Sequence, residues 1–99
     1  MCGILALFGE DVETPSYLLN HRGPDDYSSK RMGKCRMDFY RLAINDLTSG
    51  GMQPFVRKKQ MLVCNGEIYN HKEFRSCGEF VGRSDCEVLI PLIESFGID

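Results

Sequence analysis

The sequence lacks the features that mark membrane proteins and nucleic-acid-binding proteins. Its 99 residues contain no apolar run long enough to cross a bilayer, and the apolar start at residues 4–8 is too short for a signal peptide and has no basic flank. Twelve basic and fourteen acidic residues give a net charge of -2, with no basic stripe and no acidic tail. We therefore expect a cytoplasmic protein of one domain or part of one, with no nucleic-acid or membrane partner and with a small neutral or zwitterionic ligand.

The chain also lacks a cysteine arrangement typical of a metal site or a disulfide framework. It has five cysteines, an odd number, and no C-x-x-C pair. The two histidines, His21 and His71, are far apart in sequence. Because a secretory context is absent too, we predict neither a metal nor a disulfide, and we expect Cys35 and Cys64 to fill apolar strands as small hydrophobic residues.

Cys2 follows the initiator methionine and is the first candidate catalytic residue. Removal of Met1 would leave a thiol and a free α-amine on the same residue. An α-amine has a reference pKa of about 7.7–8.0, so near neutral pH it can accept the thiol proton. This is the arrangement of an amino-terminal threonine nucleophile. Position alone does not separate this nucleophile from an ordinary second residue.

Short apolar and alternating segments predict three β-strands. Residues 3–9, nearly all apolar and bounded by glycines, are typical of a buried strand. Residues 35–40 alternate apolar with polar side chains, which predicts a half-buried strand that continues into residues 41–44. Residues 60–64 form the third predicted strand, and Asn65-Gly66 directly after it is typical of a tight hairpin turn.

Capping signals predict helices between and after these strands. Thr14-Pro15 is typical of a helix start, and the Gly-Pro pair within residues 21–26 then predicts a loop. Asn70 and Glu73 have the spacing of a capping box that opens a short helix.

The last helix has the clearest signals. Ser84 and Glu87 repeat the capping-box spacing, Pro91 interrupts the helix and is expected to kink it, and Gly97 is a good residue to end it. Four large apolar residues fall on one stripe of this helix: Leu89, Leu92, Ile93 and Phe96.

Five short motifs follow one another from Cys2 to Gly97. They are Met1-Cys2-Gly3-Ile4, His21-Arg22-Gly23-Pro24-Asp25-Asp26, Arg41-Leu42-Ala43-Ile44 with Gly51-Met52-Gln53-Pro54, Asn65-Gly66-Glu67-Ile68-Tyr69-Asn70-His71, and Ser84-Asp85-Cys86-Glu87-Val88. In order and spacing they resemble the class II glutamine amidotransferase domain, most closely the version at the start of asparagine synthetases. The resemblance implies an α+β fold, the first part of an amino-terminal-nucleophile (Ntn) hydrolase αββα sandwich with antiparallel sheets.

The resemblance also implies a reaction. Cys2 would attack the side-chain amide of L-glutamine, form a glutamyl thioester, and release glutamate and ammonia. The family's oxyanion hole maps to the side-chain amide of Asn65 and the backbone N–H of Gly66. The alternative for this pair is the hairpin turn alone. His21 and Arg22 look structural by the same resemblance.

The family's glutamine clamp maps to a second set of residues. Arg41 would bind the α-carboxylate, for which a planar fork of donors is suited, and Glu67 and Asp85 would hold the α-ammonium. The alternatives are an exposed strand-end charge for Arg41, a solvated strand residue for Glu67, and a charge at a helix N-terminus for Asp85. Four residues would line the substrate with their backbone: Leu42, Ala43, Ile44 and Asn45.

The chain departs from the family pattern in two places. The stretch between Cys2 and His21 is shorter, and the second set of strands is absent, so residues 1–99 are expected to be the N-terminal part of the domain. Two functions remain open: a glutaminase that passes ammonia to a synthetase domain or subunit for asparagine synthesis, or a non-catalytic remnant that binds glutamine weakly or docks to a synthetase partner. No cofactor is expected in this chain, with ATP and Mg on the synthetase part only, and a homodimer would cover an apolar face left exposed.

Overall fold

A computed structural model describes residues 2–9, 16–43, 48–78, 80 and 82–98. Within these residues the fold is α+β and contains two antiparallel sheets. This confirms the predicted class and the predicted strand direction. The helix start predicted at Thr14-Pro15 lies outside the described residues, and a 3₁₀ helix follows it at Ser16–Arg22.

The larger sheet has three strands: β1 (Gly3–Phe8), β2 (Asp26–Met32) and β3 (Cys35–Arg41). Their order is β1-β3-β2, so β3 is central and pairs with both neighbours. Four consecutive residues at the end of β3 are buried, from Asp38 to Arg41. The predicted half-buried strand is therefore wrong for this part of β3, where successive side chains on both faces of the strand are buried.

β1 is an edge strand, and its predicted burial is wrong. Gly3 is buried, but the side chain of Ile4 is 39% exposed and that of Phe8 is 76% exposed. An apolar run predicts the strand but not its place in the sheet. The first strand therefore presents apolar side chains at the sheet edge.

β2 was not predicted, because its sequence Asp-Tyr-Ser-Ser-Lys-Arg-Met has no apolar period. It pairs with β3 along its full length through a turn at Gly33, whose φ of 59° lies in the left-handed region that favours glycine. The loop predicted for residues 21–26 is shorter than expected. The preceding helix continues to Arg22, and β2 already begins at Asp26.

The smaller sheet is a hairpin of β4 (Phe55–Arg57) and β5 (Gln60–Leu62). β4 was not predicted, and its turn to β5 includes Lys58 with a φ of 54°. The third predicted strand is confirmed over Gln60–Leu62. The hairpin therefore comes before Asn65-Gly66, and the prediction of a hairpin turn at that pair is wrong.

The described part of the chain contains three further 3₁₀ helices, at Ser49–Gly51, His71–Cys77 and Asp85–Val88, and one α-helix after them, α1 (Leu89–Phe96). Neither predicted capping box is formed. Ser84 makes no side-chain cap, and Asn70 donates from its side chain to the Glu73 carboxylate at 3.3 Å. The Glu87 carboxylate accepts instead from the backbone N–H of Gly82, at 3.0 Å.

The last helical segment changes from 3₁₀ to α geometry at Leu89. Pro91 lies in the first turn of α1, where proline is tolerated, and α1 continues past it to Phe96. The predicted kink at Pro91 stays a prediction. The predicted end is confirmed: Gly97 has a φ of 77°, and its N–H donates to the carbonyl of Ile93 at 2.8 Å.

The face that α1 buries differs from the predicted stripe. Ile90 and Pro91 are buried, whereas Ile93 is 36% exposed and Phe96 is 75% exposed. The core around this helix consists of Phe55, Cys86 and Ile90, with Leu62, Cys64 and Leu89 packed against it. None of the helices in the described ranges is long and apolar enough to span a membrane.

Candidate active site

A cavity of about 210 Å³ opens where five segments meet: the start of β1, the end of β3, the segment of Gly51 and Gln53 before β4, the segment after β5, and the turn into the 3₁₀ helix Asp85–Val88. The lining includes seven residues that the sequence singled out: Cys2, Arg41, Leu42, Asn65, Gly66, Glu67 and Asp85. Ala43 is outside this lining, and Ile44 and Asn45 lie outside the described residues. Residues up to 83 positions apart in sequence are thus brought to one small cavity.

The thiol of Cys2 lies against the backbone of Leu42. The Leu42 N–H donates to Cys2 Sγ at 3.2 Å, and the thiol donates to the Leu42 carbonyl at 3.5 Å. β1 is held in this position by the pairing of Gly3 with Tyr40. A Cβ on Gly3 would come within 2.9 Å of the Leu19 side chain, so only glycine allows this close packing of β1 on the first 3₁₀ helix.

Arg22 and Asp25 connect the motif of residues 21–26 by hydrogen bonds to Cys2 and to the residues on either side of Leu42. Arg22 Nε donates to the Cys2 carbonyl at 3.2 Å. The N–H of Asp25 donates to the Arg41 carbonyl at 2.9 Å, and its carboxylate accepts from the N–H of Ala43 at 2.8 Å. The motif therefore fixes the backbone that faces Cys2. Asp25 is part of this motif, and the sequence predicts no role for it.

Arg41 is buried, with 6% of its surface exposed. Its Nη1 donates to the backbone carbonyl of Thr48 at 2.6 Å. The alternative of an exposed strand-end charge is therefore wrong. A buried guanidinium at the wall of a cavity is well placed to pair with a carboxylate, because its planar fork offers several donors in fixed directions.

Gln53 holds the segment that carries Asn65-Gly66. It is 5% exposed, lines the cavity, and accepts the backbone N–H of Cys64 on its Oε1 at 2.6 Å. A Cβ on Gly66 would have Cys64 Sγ as its nearest neighbour, at an ordinary contact distance of 3.7 Å. Gln53 is part of one of the five motifs, but the sequence predicts no function for it because no local pattern links it to Cys64.

The two carboxylates predicted to bind the α-ammonium have different environments. Asp85 is 4% exposed, and its Oδ2 accepts the backbone N–H of Ile68 at 2.6 Å, whereas Glu67 is exposed. Asp85 is also the first residue of its 3₁₀ helix, as the helix-terminus alternative requires, and its role toward the α-ammonium stays a prediction. The turn before it is held by Arg75, which donates to the Ser84 carbonyl at 2.6 Å.

Two further thiols, Cys64 and Cys86, line the same cavity, with their sulfur atoms 3.1 Å apart. The thiol of Cys86 donates to Cys64, which lowers the pKa of Cys64 to about 7 despite its burial and the nearby Asp85. The same hydrogen bond, together with burial, raises the pKa of Cys86. The sequence predicts Cys64 only as a small hydrophobic residue in an apolar strand. It contains no signal for the pair, because 22 positions separate the two cysteines.

The described cysteines, Cys2, Cys35, Cys64 and Cys86, are all free thiols. Over the same described ranges, no group of three histidine, cysteine or carboxylate side chains is placed to hold a metal ion. The lining of the cavity offers thiols, a guanidinium, amides and carboxylates.

Comparison with known proteins decides the family. A family model described as a glutamine amidotransferase domain matches residues 1–99. The chain belongs to this family. The predicted membership of the glutamine amidotransferase domain family is confirmed. Residues from four of the five motifs identified in the sequence line the cavity.

Relatives of this glutamine amidotransferase domain include asparagine synthetases described as glutamine-hydrolysing. The chain is 40% identical to the protein of Triphysaria versicolor over 110 aligned residues, which cover 98% of the chain and 19% of that relative. It is 39% identical to asparagine synthetase 1 of Arabidopsis thaliana, with 100% and 19% covered, and 36% identical to a probable asparagine synthetase of Acanthamoeba polyphaga mimivirus, with 100% and 21% covered. The chain thus spans about a fifth of the length of these relatives.

Proposed function

We propose that this chain hydrolyses L-glutamine to glutamate and ammonia, with Cys2 as the nucleophile. The observation that carries the proposal is the meeting of Cys2, Arg41, Asn65-Gly66 and Asp85 around one cavity of about 210 Å³. A cavity of this size suits a single amino acid better than a larger ligand. Membership of the glutamine amidotransferase domain family supports the same substrate.

The proposed reaction begins with the removal of Met1, which frees the α-amine of Cys2. The amine accepts the thiol proton while the sulfur attacks the side-chain amide carbon of glutamine. The tetrahedral intermediate collapses to a glutamyl thioester, and the departing nitrogen takes a proton and leaves as ammonia. Water then attacks the thioester, which releases glutamate and restores the thiol.

Asn65 and Gly66 are proposed to hold the oxyanion that develops in both steps. The side-chain amide of Asn65 and the backbone N–H of Gly66 each supply one donor. Gln53 supports them, because its hydrogen bond to Cys64 fixes the residue directly before Asn65. Loss of one oxyanion donor typically lowers kcat by about 10²–10³-fold.

Arg41, Asp85 and Glu67 are proposed to recognise the amino-acid end of the substrate. The buried guanidinium of Arg41 pairs with the α-carboxylate, and the two carboxylates pair with the α-ammonium. The backbone of Leu42 and Ala43 lies next to this site, with Ile44 and Asn45 following in sequence as further predicted contacts. Requirement for both charges of the substrate would exclude simple amides.

The proposal also covers the fold around the cavity, the acceptor of the ammonia and the site at which ATP and Mg act. The three-stranded sheet would form one layer of an Ntn-hydrolase sandwich, in line with the exposed apolar side chains on β1. The ammonia would pass to a synthetase domain or subunit that makes asparagine, as the names of the relatives suggest. ATP and Mg would act on that synthetase part and not on this cavity. The homodimer and the cytoplasmic location stay predictions of the sequence.

The test is the intact mass of the purified chain after incubation with a diazoketone analogue of glutamine. We expect a wild-type chain that has lost methionine and gained one adduct, mapped to Cys2. Cys2→Ser is expected to lose methionine but to gain no adduct, and Cys35→Ser to label as the wild type does, since Cys35 pairs with Phe8 at the opposite end of the β1–β3 ladder from Gly3.

Two results would contradict the proposal. A processed wild-type chain without an adduct would favour the non-catalytic alternative, in which the motifs persist without a working pocket. An adduct that forms equally in Cys2→Ser would assign the reaction to another group. Excess glutamine is expected to protect the wild type, and Arg41→Lys is expected to weaken that protection at least tenfold because the bidentate geometry is lost.

A further inference from the structure

Cys64 and Cys86 form a pair of thiols whose geometry is close to that of a disulfide. Their sulfur atoms are 3.1 Å apart, and a disulfide bond of about 2.05 Å requires an approach of only about 1 Å. Cys86 is 2% exposed, whereas Cys64 is half-buried and lines the cavity. A small oxidant that enters the cavity therefore meets the more exposed Cys64, with Cys86 Sγ 3.1 Å from its sulfur.

We propose that Cys64 and Cys86 are an oxidation site, at which a hydroperoxide converts the two thiols into a disulfide. The Cys64 thiolate attacks one peroxide oxygen, the O–O bond breaks, and Cys64 becomes a sulfenic acid while hydroxide leaves. Cys86 then attacks the sulfenic sulfur, and the proton of its thiol leaves with the displaced hydroxide as water. In sum, two thiols and one hydrogen peroxide give one disulfide and two waters.

The local chemistry supports this order of events. The thiol of Cys86 donates to Cys64 and holds the pKa of Cys64 near 7, so a large part of Cys64 is thiolate at neutral pH, the form that reacts with peroxides. Cys86 has a raised pKa and keeps its proton until the sulfenic acid has formed. The two thiols thus divide into an attacking group and a resolving group.

The other described thiols, those of Cys2 and Cys35, differ from this pair in their hydrogen bonds and in their positions in the sheet. Cys2 is held by the backbone of Leu42 on both its donor and its acceptor side. Cys35 begins β3 and pairs with Phe8 at the opposite end of the ladder from Gly3. A bridge between Cys64 and Cys86 would join the segment that carries Asn65-Gly66 to the turn that carries Asp85, so it would form across the wall of the proposed glutamine site.

The experiment uses the full chain with Cys2→Ala, which removes the proposed nucleophile as a competing thiol. The chain is treated with hydrogen peroxide at neutral pH, and remaining thiols are blocked with an alkylating agent. We expect a product lighter by two hydrogen atoms before blocking, and a peptide map without reductant that joins the peptides of Cys64 and Cys86. Cys35→Ser in the same background is expected to give the same bridge.

Two variants and one map decide the outcome. Cys64→Ser and Cys86→Ser are each expected to lose the bridge, and the peptide map of the parent chain decides even where a variant fails to fold. A bridge that contains Cys35 or Cys77 would overturn the proposal, as would sulfinic acid on Cys64 with Cys86 still reduced. The readout is mass and connectivity, so its failure is separate from a failure of the proposed glutamine hydrolysis.

Discussion

Arg22 Nε donates a 3.2 Å hydrogen bond to the carbonyl of Cys2, 20 residues earlier in the chain. Its neighbour His21 hydrogen-bonds through ring Nδ1 to the carbonyl of Leu18, within its own helix. Two adjacent residues of one motif therefore have different roles. Arg22 holds the backbone of the candidate nucleophile, whereas His21 makes its hydrogen bond inside the 3₁₀ helix Ser16–Arg22.

Arg22→Met is expected to slow labelling of Cys2 by the glutamine diazoketone about tenfold. The substitution keeps a long side chain but removes a charged donor from the Cys2 carbonyl, and such hydrogen bonds are worth about 1.5–3 kcal/mol before exposure to solvent weakens them. His21→Ala is the matched control and should change the rate less than about twofold. A larger effect for His21→Ala than for Arg22→Met would point to His21 as a reacting group.

Gln53→Leu is expected to destabilise the chain by about 1–3 kcal/mol. It removes the acceptor for the Cys64 N–H and leaves that donor unpaired in the interior. Gln60→Leu, on the half-exposed β5, should stay within about 0.5 kcal/mol. Urea unfolding of both variants measures the difference. Equal stabilities would show that the 2.6 Å contact of Gln53 contributes nothing to the fold.

The parts of the fold that were predictable rest on local signals. The apolar run of β1, the period of β3 and the glycine after α1 each depend on neighbouring residues, and each marked an element that the structure contains. β2 has no such signal, because pairing with β3 and not its own polar side chains makes it a strand. The face that α1 buries is likewise set by the core around Phe55 and Ile90.

The site was predictable only as far as the family motifs reach. They named Cys2, Arg41, Asn65 and Asp85, which line one cavity. The contacts that hold these residues join distant segments: Asp25 to Ala43, and Gln53 to Cys64. No spacing in the sequence reveals such contacts, so the positioning residues had to come from the structure.

Gly66→Ala and Gly23→Ala are expected to fail in different ways. A Cβ on Gly66 would make only an ordinary 3.7 Å contact with Cys64 Sγ, so this variant should fold while labelling slowly, because the methyl group crowds the proposed oxyanion site. A Cβ on Gly23 would overlap the carbonyl of Tyr40, so this variant should lose several kcal/mol of stability or fail to fold. Thermal unfolding and diazoketone labelling, measured together, separate the two. Normal stability of Gly23→Ala would contradict the packing of the loop on β3.

Alkylation of Cys64 by iodoacetamide, followed by peptide mapping in a Cys2→Ala chain, should increase with pH through a midpoint near 7. The thiolate is the reacting form, and the pKa of Cys64 is lowered to about 7 by the hydrogen bond from Cys86. The rate should therefore fall below pH 7 and reach a plateau above it.

Cys86→Ala removes the donor and leaves burial and the charge of Asp85, which both raise the pKa of Cys64, so the midpoint should move upward. Cys86→Ser keeps a donor and should retain most of the low midpoint. The same midpoint in Cys86→Ala and Cys86→Ser would show that the thiol of Cys86 does not set the reactivity of Cys64.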